Sequence, residues 1–211
     1  MEAKNRDYGY GLAVKLARKQ LAQADISGQC QRSGARLLPD QKAVAVDFLD
    51  QTYQISLPDG IVTQGDKEAP VRETILTLHY FLQAKGTSLT SDPITFKELP
   101  EGSGYYPTFY ARAIKPLVNR FGGKPEEMVK AAEKLNGRRA GYGDAAVTID
   151  AFKNVPITFV LWRGDSEFPP EGSILFDHSI SDYLPTEDIT AICQMISSQL
   201  VKAAGEAGPK L

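Results

Sequence analysis

The stretch that most constrains this chain is Val155–Asp177, which reads as a strand, a stiff loop and a second strand. Both faces of the first strand are largely apolar, which predicts that it is covered on both sides. Pro169 and Pro170 fix two backbone angles and remove two hydrogen-bond donors, so the loop is stiff and not helical. Such a loop beside a buried strand is a common place for functional residues.

The loop supplies the first candidate ligand-binding residues, because it carries carboxylates and an aromatic ring in a restricted backbone. They are Asp165, Glu167 and Phe168, with Asp177 at the end of the second strand.

Two further segments are expected to meet the loop. Tyr105 and Tyr106 could form a wall for an aromatic or anionic ligand. Arg138 and Arg139 could hold a carboxylate or phosphate, or bond the last carbonyls of a preceding helix.

Three other interpretations of the same residues remain open. A hydrolase would use Ser166 as nucleophile and His178 as base, with Asp182 orienting the imidazole. A metal site would draw its oxygen and nitrogen ligands from Asp165, Glu167, Asp177 and His178. A scaffold with no small-molecule site would fold the acidic loop back onto Arg138, Arg139 or Arg163.

The sequence argues against a dinucleotide site, a P-loop nucleotide site and a metal site at the lone His79. Gly141, Gly143 and Ala146 fit a GxGxxA pattern, but a helix precedes them and a strand follows, which is the reverse of a dinucleotide-binding turn. No P-loop sequence occurs. His79 lies beside the apolar stripe of a predicted helix and is interpreted as a structural histidine.

Composition limits the possible partners. The 211 residues are 42% hydrophobic and carry a formal net charge of −2, which favours neither nucleic acid nor an anionic membrane as partner. A small molecule or a protein remains as partner, and no cofactor is indicated. Cys30 and Cys193 form no CxxC pair. No apolar run of membrane-spanning length and no signal-peptide core occurs, so we expect a cytoplasmic location.

The order of elements predicts an α+β fold with a mixed or antiparallel sheet packed by about five helices. We expect a single globular domain over residues 1–211. It would comprise an N-terminal helix and hairpin in 1–69, a core in 70–203 and a frayed tail in 204–211. Residues 25–41, rich in Gly, Ser and Gln, are predicted to be an irregular connection.

A loop and an interrupted helix are predicted inside the core. Residues 100–104, PEGSG, are expected to form a flexible loop. A helix is predicted over 107–122, and Pro116 should kink or split it.

Four runs resemble the family called domain of unknown function 3786, and together they cover about residues 70–195. The runs are LHYFLQAKGTSLTSDPITFKELP, GSGYYPTFYARAIKPLVNRFG, GDAAVTIDAFKNVPI and WRGDSEFPPEGSILFD followed by YLPTEDI. The resemblance implies a protein of anaerobic bacteria and archaea linked to redox, iron–sulfur or corrinoid metabolism. Some family members carry a Cys-rich iron–sulfur segment that this chain does not have. The family provides no catalytic residue to transfer.

These observations predict a ligand-binding or accessory protein with its site at residues 164–173. The hydrolase, with Ser166 and His178 or a metal held by Asp165 and Glu167, is the second hypothesis. The scaffold is the third.

Overall fold

The structure, a computed structural model, describes the backbone of residues 2–205 and the side chains of residues 10–205. Helices combine with two five-stranded antiparallel sheets, which confirms the predicted α+β class with antiparallel pairing. The strands are divided between two sheets, whereas one was predicted. No helix within residues 2–205 is both long and apolar enough to cross a bilayer.

The described chain divides into two compact units, each with its own sheet. Unit 1 runs to Ser88 and also contains Phe152–Asn154 and Asp182–Leu184, and unit 2 contains the other described residues. The predicted single domain over residues 1–211 is not tested by this division and stays a prediction. The last helix continues to Gly205, and the rest of the predicted frayed tail lies outside the described residues.

Unit 1 is an antiparallel meander accompanied by three helices. Its helices are α1 (Glu2–Leu21), α2 (Ile26–Ser33) and α3 (Val71–Gln83). Its strands, in spatial as well as chain order, are β1 (Arg36–Leu38), β2 (Ala43–Phe48), β3 (Gln51–Ser56), β4 (Val62–Gln64) and β5 (Lys67–Glu68). The predicted hairpin is therefore present as β2 and β3.

The prediction of an irregular connection over 25–41 is wrong, because α2 and β1 lie there. The Asp25 side chain caps α2 by accepting a hydrogen bond from the Gly28 N–H at 3.1 Å. The buried Gln29 amide donates to the carbonyls of Leu82 and Ala84 near the end of α3, at 2.7 and 3.1 Å. These hydrogen bonds to a distant segment stabilise a helix whose composition resembles a loop.

Unit 2 contains the segments from which the site was predicted. Its strands are β6 (Pro93–Thr95), β7 (Arg138–Ala140), β8 (Ala145–Phe152), β9 (Val155–Trp162) and β10 (Glu171–Asp177), in the spatial order β6-β10-β9-β8-β7. Its helices are α4 (Gly102–Phe109), α5 (Lys115–Phe121), α6 (Glu126–Glu133) and α7 (Thr186–Gly205). The predicted flexible loop over 100–104 is too long, because α4 begins at Gly102.

The central strand β9 is covered more completely on one face than on the other. Val155, Ile157, Phe159 and Leu161 are buried together on one face. On the opposite face Val160 is buried, Thr158 is half-buried and Trp162 is exposed. The prediction that both faces are covered fails at Trp162, where β9 ends and leaves an indole in solvent.

A π-helical turn over Tyr110–Ile114 joins α4 to α5. Pro116 follows this turn and has no N–H to donate to the carbonyl of Arg112, so a regular helix cannot continue through it. The Ser197 hydroxyl on α7 donates to the Ala113 carbonyl at 2.6 Å. The predicted interruption at Pro116 is therefore a widened turn rather than a break.

Candidate functional site

The acidic loop between β9 and β10 is held in shape by its own backbone. The Asp165 carboxylate accepts hydrogen bonds from the N–H groups of Glu167 and Phe168, each at 2.8 Å. The Asp165 N–H donates to the Phe168 carbonyl at 2.9 Å. The hydrogen bonds from Phe168 and Glu167 lower the pKa of Asp165, so its carboxylate is ionised at neutral pH.

Pro170 fixes the loop against the end of α5. A Cβ atom built on Gly122 would lie 2.7 Å from the Cβ of Pro170, and one on Gly164 would lie 2.6 Å from its Cδ. Either side chain would push the loop away, so the two glycines allow a close approach that other residues would prevent. One residue into β10, a Cβ atom on Gly172 would lie 2.9 Å from Val118.

A hollow of about 350 Å³ opens between this loop and the end of α5. Its wall is formed by Gly122, Gly123 and the seven residues Gly164–Pro170. The volume lies at the lower end of the range of small-ligand sites. Phe168 is 67% exposed. The exposed Glu167 carboxylate has no hydrogen-bond or ion-pair partner among the described residues.

The turn 141–144 lies beside the same end of the sheet. The Asp144 N–H donates to the Leu161 carbonyl at 3.0 Å, and its carboxylate accepts from the Arg163 N–H at 2.7 Å. Gly143 has a φ of +54°, and a Cβ there would lie 2.7 Å from the Leu161 carbonyl oxygen and 3.3 Å from the Trp162 ring. This turn therefore packs its Gly143 backbone against Trp162, and the side chains of Tyr142 and Trp162 are both exposed.

The two predicted tyrosines lie on α4. The Tyr105 hydroxyl accepts a hydrogen bond from Arg112 at 3.3 Å, and Lys97 lies over the Tyr106 ring at 4.3 Å from its centroid. Burial raises the pKa of Tyr106, and the neighbouring Tyr110 and Glu171 raise it further. Glu171 begins β10 directly after the loop, so Tyr106 lies within electrostatic range of the loop's carboxyl end.

The two predicted arginines lie on β7, which β8 and β9 separate from β10. Arg138 forms a two-pronged ion pair with Asp150, with its closest approach at 2.5 Å. Arg139 donates to both carboxylate oxygens of Glu126, at 2.7 and 2.8 Å. Both guanidinium groups are thus engaged by carboxylates of their own unit, and the structure does not bring them to the loop.

Asp177 is surrounded by hydrogen-bond donors. Its carboxylate accepts from the backbone N–H and hydroxyl groups of Thr90 and of Ser179, and from the Ser91 N–H. Burial raises the pKa of Asp177, but the hydrogen bonds from Ser179, Thr90 and Ser91 outweigh this and lower it to about 2. The neighbouring His178 ring lies 3.3 Å from the Asp92 carboxylate.

The hydrolase and metal arrangements need residues that β10 separates. Ser166 precedes this seven-residue strand and His178 follows it, and at the usual rise per residue the strand between them spans about 20 Å. Asp182 accepts hydrogen bonds from Lys85 and Thr87, each at 2.7 Å. The same strand divides the proposed metal ligands into the pairs Asp165/Glu167 and Asp177/His178. In the described part of the chain, no three His, Cys, Asp or Glu side chains are grouped to hold one ion.

Two features were not predicted from the sequence: the glycines at the end of α5 and the turn 141–144 with its exposed Tyr142. From the sequence, Gly122 is interpreted only as the end of the helix predicted over 107–122 and Gly123 is given no role, although two adjacent glycines often mark a close backbone approach. Tyr142 was noticed only inside a motif that was rejected. The pairing of β8 with β9 places this turn at the end of β9, and the two-residue turn at Lys153 and Asn154 is the local signal that indicates this pairing.

A family model described as domain of unknown function (DUF3786) matches residues 25–199 of this chain. Comparison with curated proteins and with solved structures finds no match. The matched range contains every segment of the site, from Gly122 to Glu171. Since the match covers most of the chain, this protein belongs to the DUF3786 family, in agreement with the resemblance of its four sequence runs.

Proposed function

We propose that this chain is a binding or accessory domain, and that its binding site is the hollow between the loop 164–170 and Gly122–Gly123. The observation that carries this proposal is the hollow itself, about 350 Å³ in volume and lined by a loop whose turn is fixed by its own hydrogen bonds. A binding function needs a concave surface with a few polar groups, and the loop provides Ser166 and Glu167 beside the aromatic ring of Phe168.

No observation favours the other two hypotheses over this one. The hydrolase would require Ser166 and His178 to meet across the length of β10. The scaffold would require the acidic loop to fold onto an arginine side chain with no hollow beside it. A link to anaerobic redox, iron–sulfur or corrinoid metabolism rests on the family resemblance alone and stays a prediction, as does the cytoplasmic location.

A fragment experiment tests the proposed site. Indole, phenol and benzamidine would each be titrated to millimolar concentration into ¹⁵N-labelled protein. Shift changes are expected to cluster at Gly122, Gly123 and the amides of 164–168, because these groups line the hollow.

The control compares one variant on the hollow's wall with one outside it. Phe168→Ala removes an apolar contact and should weaken the shifts, while Glu187→Gln on α7 changes an exposed carboxylate outside the hollow and should leave them unchanged. Shifts that spread over the whole surface, or that map to another cavity, would contradict the proposal.

A further inference from the structure

Three exposed aromatic side chains project from the same end of the second sheet. Trp162 is 42% exposed where β9 ends, Tyr142 is 45% exposed on the adjoining turn, and Phe168 is 67% exposed on the loop. Trp162 and Glu171 are directly paired across β9 and β10, so an aromatic face and a carboxylate are neighbours on the sheet. Aromatic side chains gathered in this way are typical of protein interfaces.

Hydrogen bonds and prolines fix the backbone of the segments that carry Tyr142 and Phe168. The turn around Tyr142 is tied to β9 by the Asp144 hydrogen bonds to Leu161 and Arg163. Phe168 lies between a turn closed by Asp165 and the two prolines that follow it. A rigid aromatic group loses little conformational freedom when a partner covers it, so this surface is preorganised for binding.

The charge of the same segments selects the kind of partner. Turn 141–144 and residues 162–171 contain four carboxylates and one guanidinium. The carboxylates belong to Asp144, Asp165, Glu167 and Glu171, and the guanidinium belongs to Arg163. Asp144 and Asp165 bond backbone N–H groups, whereas Glu167 has no partner in the described part of the chain. A partner with positive charge would therefore meet complementary charge here.

We propose that the surface formed by these aromatic rings and carboxylates, which includes the hollow at Glu167 and Phe168, binds an extended basic segment of a partner protein. A lysine or arginine head would pair with Glu167 and lie against the face of Trp162 or Tyr142, as cations do with aromatic rings. The apolar stem of that side chain would pass Phe168 and the hollow. This inference rests on the proposed function, because it names the ligand of the same site.

The test uses Trp162, which is the single tryptophan of the chain and lies on the surface in question. A hexapeptide of alternating arginine and glycine would be titrated while Trp162 emission is followed, with a glutamate–glycine hexapeptide as the matched control. Only the basic peptide should shift or quench the emission. Its binding should weaken as salt is raised, because charge pairs at the surface are screened.

Two substitutions locate the binding. Glu167→Gln and Phe168→Ala should each weaken the basic peptide about five- to tenfold, the usual effect of truncating a central interface residue. Glu187→Gln removes one carboxylate from an exposed position on α7 and should change nothing. Thermal melts of all variants should coincide with that of the parent, so that lost binding is not lost folding.

The outcomes separate this inference from the proposed function. If the aromatic fragments occupy the hollow but the arginine peptide does not bind, the basic partner is overturned and the binding site remains. If the peptide binds equally well to Glu167→Gln and Phe168→Ala, or no better than the acidic peptide, this inference is overturned. If neither fragments nor peptide act at this surface, both proposals fail.

Discussion

The two ends of strand β10 carry the same kind of side chain in opposite situations. At its carboxyl end, Asp177 accepts hydrogen bonds from Thr90, Ser91 and Ser179. Before its amino end, Glu167 has no partner among the described residues, and Asp165 bonds only the turn to which it belongs. The carboxyl end of β10, where protein donors surround Asp177, is therefore the saturated end. The loop before the amino end, where Glu167 has no protein donor within the described chain, is the available end.

This difference teaches how to choose among acidic residues when a site is sought. A carboxylate surrounded by donors is stabilised in its charged form, and its lone pairs are already used. Asp177 is therefore interpreted as a structural group that ties residues 90–91 to the end of β10. Glu167 has no partner among the described residues and lines the hollow, so a ligand's donor could replace the water at its carboxylate.

Phe176 lies within β10, and replacing it tests whether both ends of the strand depend on the same packing. It is 2% exposed and its ring lies 6.5 Å from that of Phe109. Replacing Phe176 with Ala should lower the free energy of unfolding by about 3–5 kcal/mol, because a buried ring is removed and a cavity remains. Urea unfolding measures the loss.

Hydrogen exchange in the same variant sharpens the comparison. Amides at both ends of β10 should lose protection together, since both depend on the strand. Loss confined to the Asp177 end would show that the loop 164–170 is held by α5 independently of β10.

The second prediction concerns the available end and compares two adjacent glycines. Gly122→Ala would place a Cβ atom 2.5 Å from the Val118 carbonyl oxygen and 2.7 Å from Pro170, whereas Gly123 has no atom within 4 Å of that position. Overpacking at Gly122 should cost about 1–3 kcal/mol of unfolding free energy and displace the loop. Gly123→Ala should be close to neutral, as measured by thermal or urea unfolding. Equal effects of the two substitutions would argue against close packing of Pro170 on α5.

A smaller loss of stability is expected from removing the charge at the saturated end, and the smallest from changing Glu167 before the other end. Asp177→Asn removes the charge that five donors surround, and should cost about 1–2 kcal/mol, a value reduced by the partial exposure and solvent screening of the group. Glu167→Gln, which leaves no donor without its partner, should stay within about 0.5 kcal/mol of the parent. Urea unfolding at neutral pH compares the two variants.

The contribution of Asp177 should depend on pH in a defined direction. Its folded pKa of about 2 lies below the ordinary value of 3.8, so the unfolded chain binds the proton more readily. The stabilisation is complete above the unfolded value and is lost as pH falls through the folded one. The stability difference between the parent and Asp177→Asn should therefore be constant near neutral pH and shrink between pH 4 and 2. A difference that persists at low pH would show that the Asn side chain fails for a reason other than charge.

Local patterns predicted much of the frame of the site. Local residue properties explain three features. They are the burial of β9, the stiffness at Pro169 and Pro170, and the interruption at Pro116. The carboxylates of the loop were also identified from the sequence. Their availability was not, because hydrogen-bond partners such as Thr90 for Asp177 lie 87 residues away in the chain.

The amino-acid sequence by itself determined the class of fold, the buried strand and the stiff acidic loop that follows it, since periodicity and proline act over neighbouring residues. Only the tertiary structure decided which carboxylate is saturated, that Arg138 and Arg139 are engaged on β7, and that Gly122 and Gly123 meet the loop to form a hollow. These outcomes depend on strand order and on the approach of α5 to Pro170. Such long-range geometry is set by the packing of the whole unit and by no single stretch of residues.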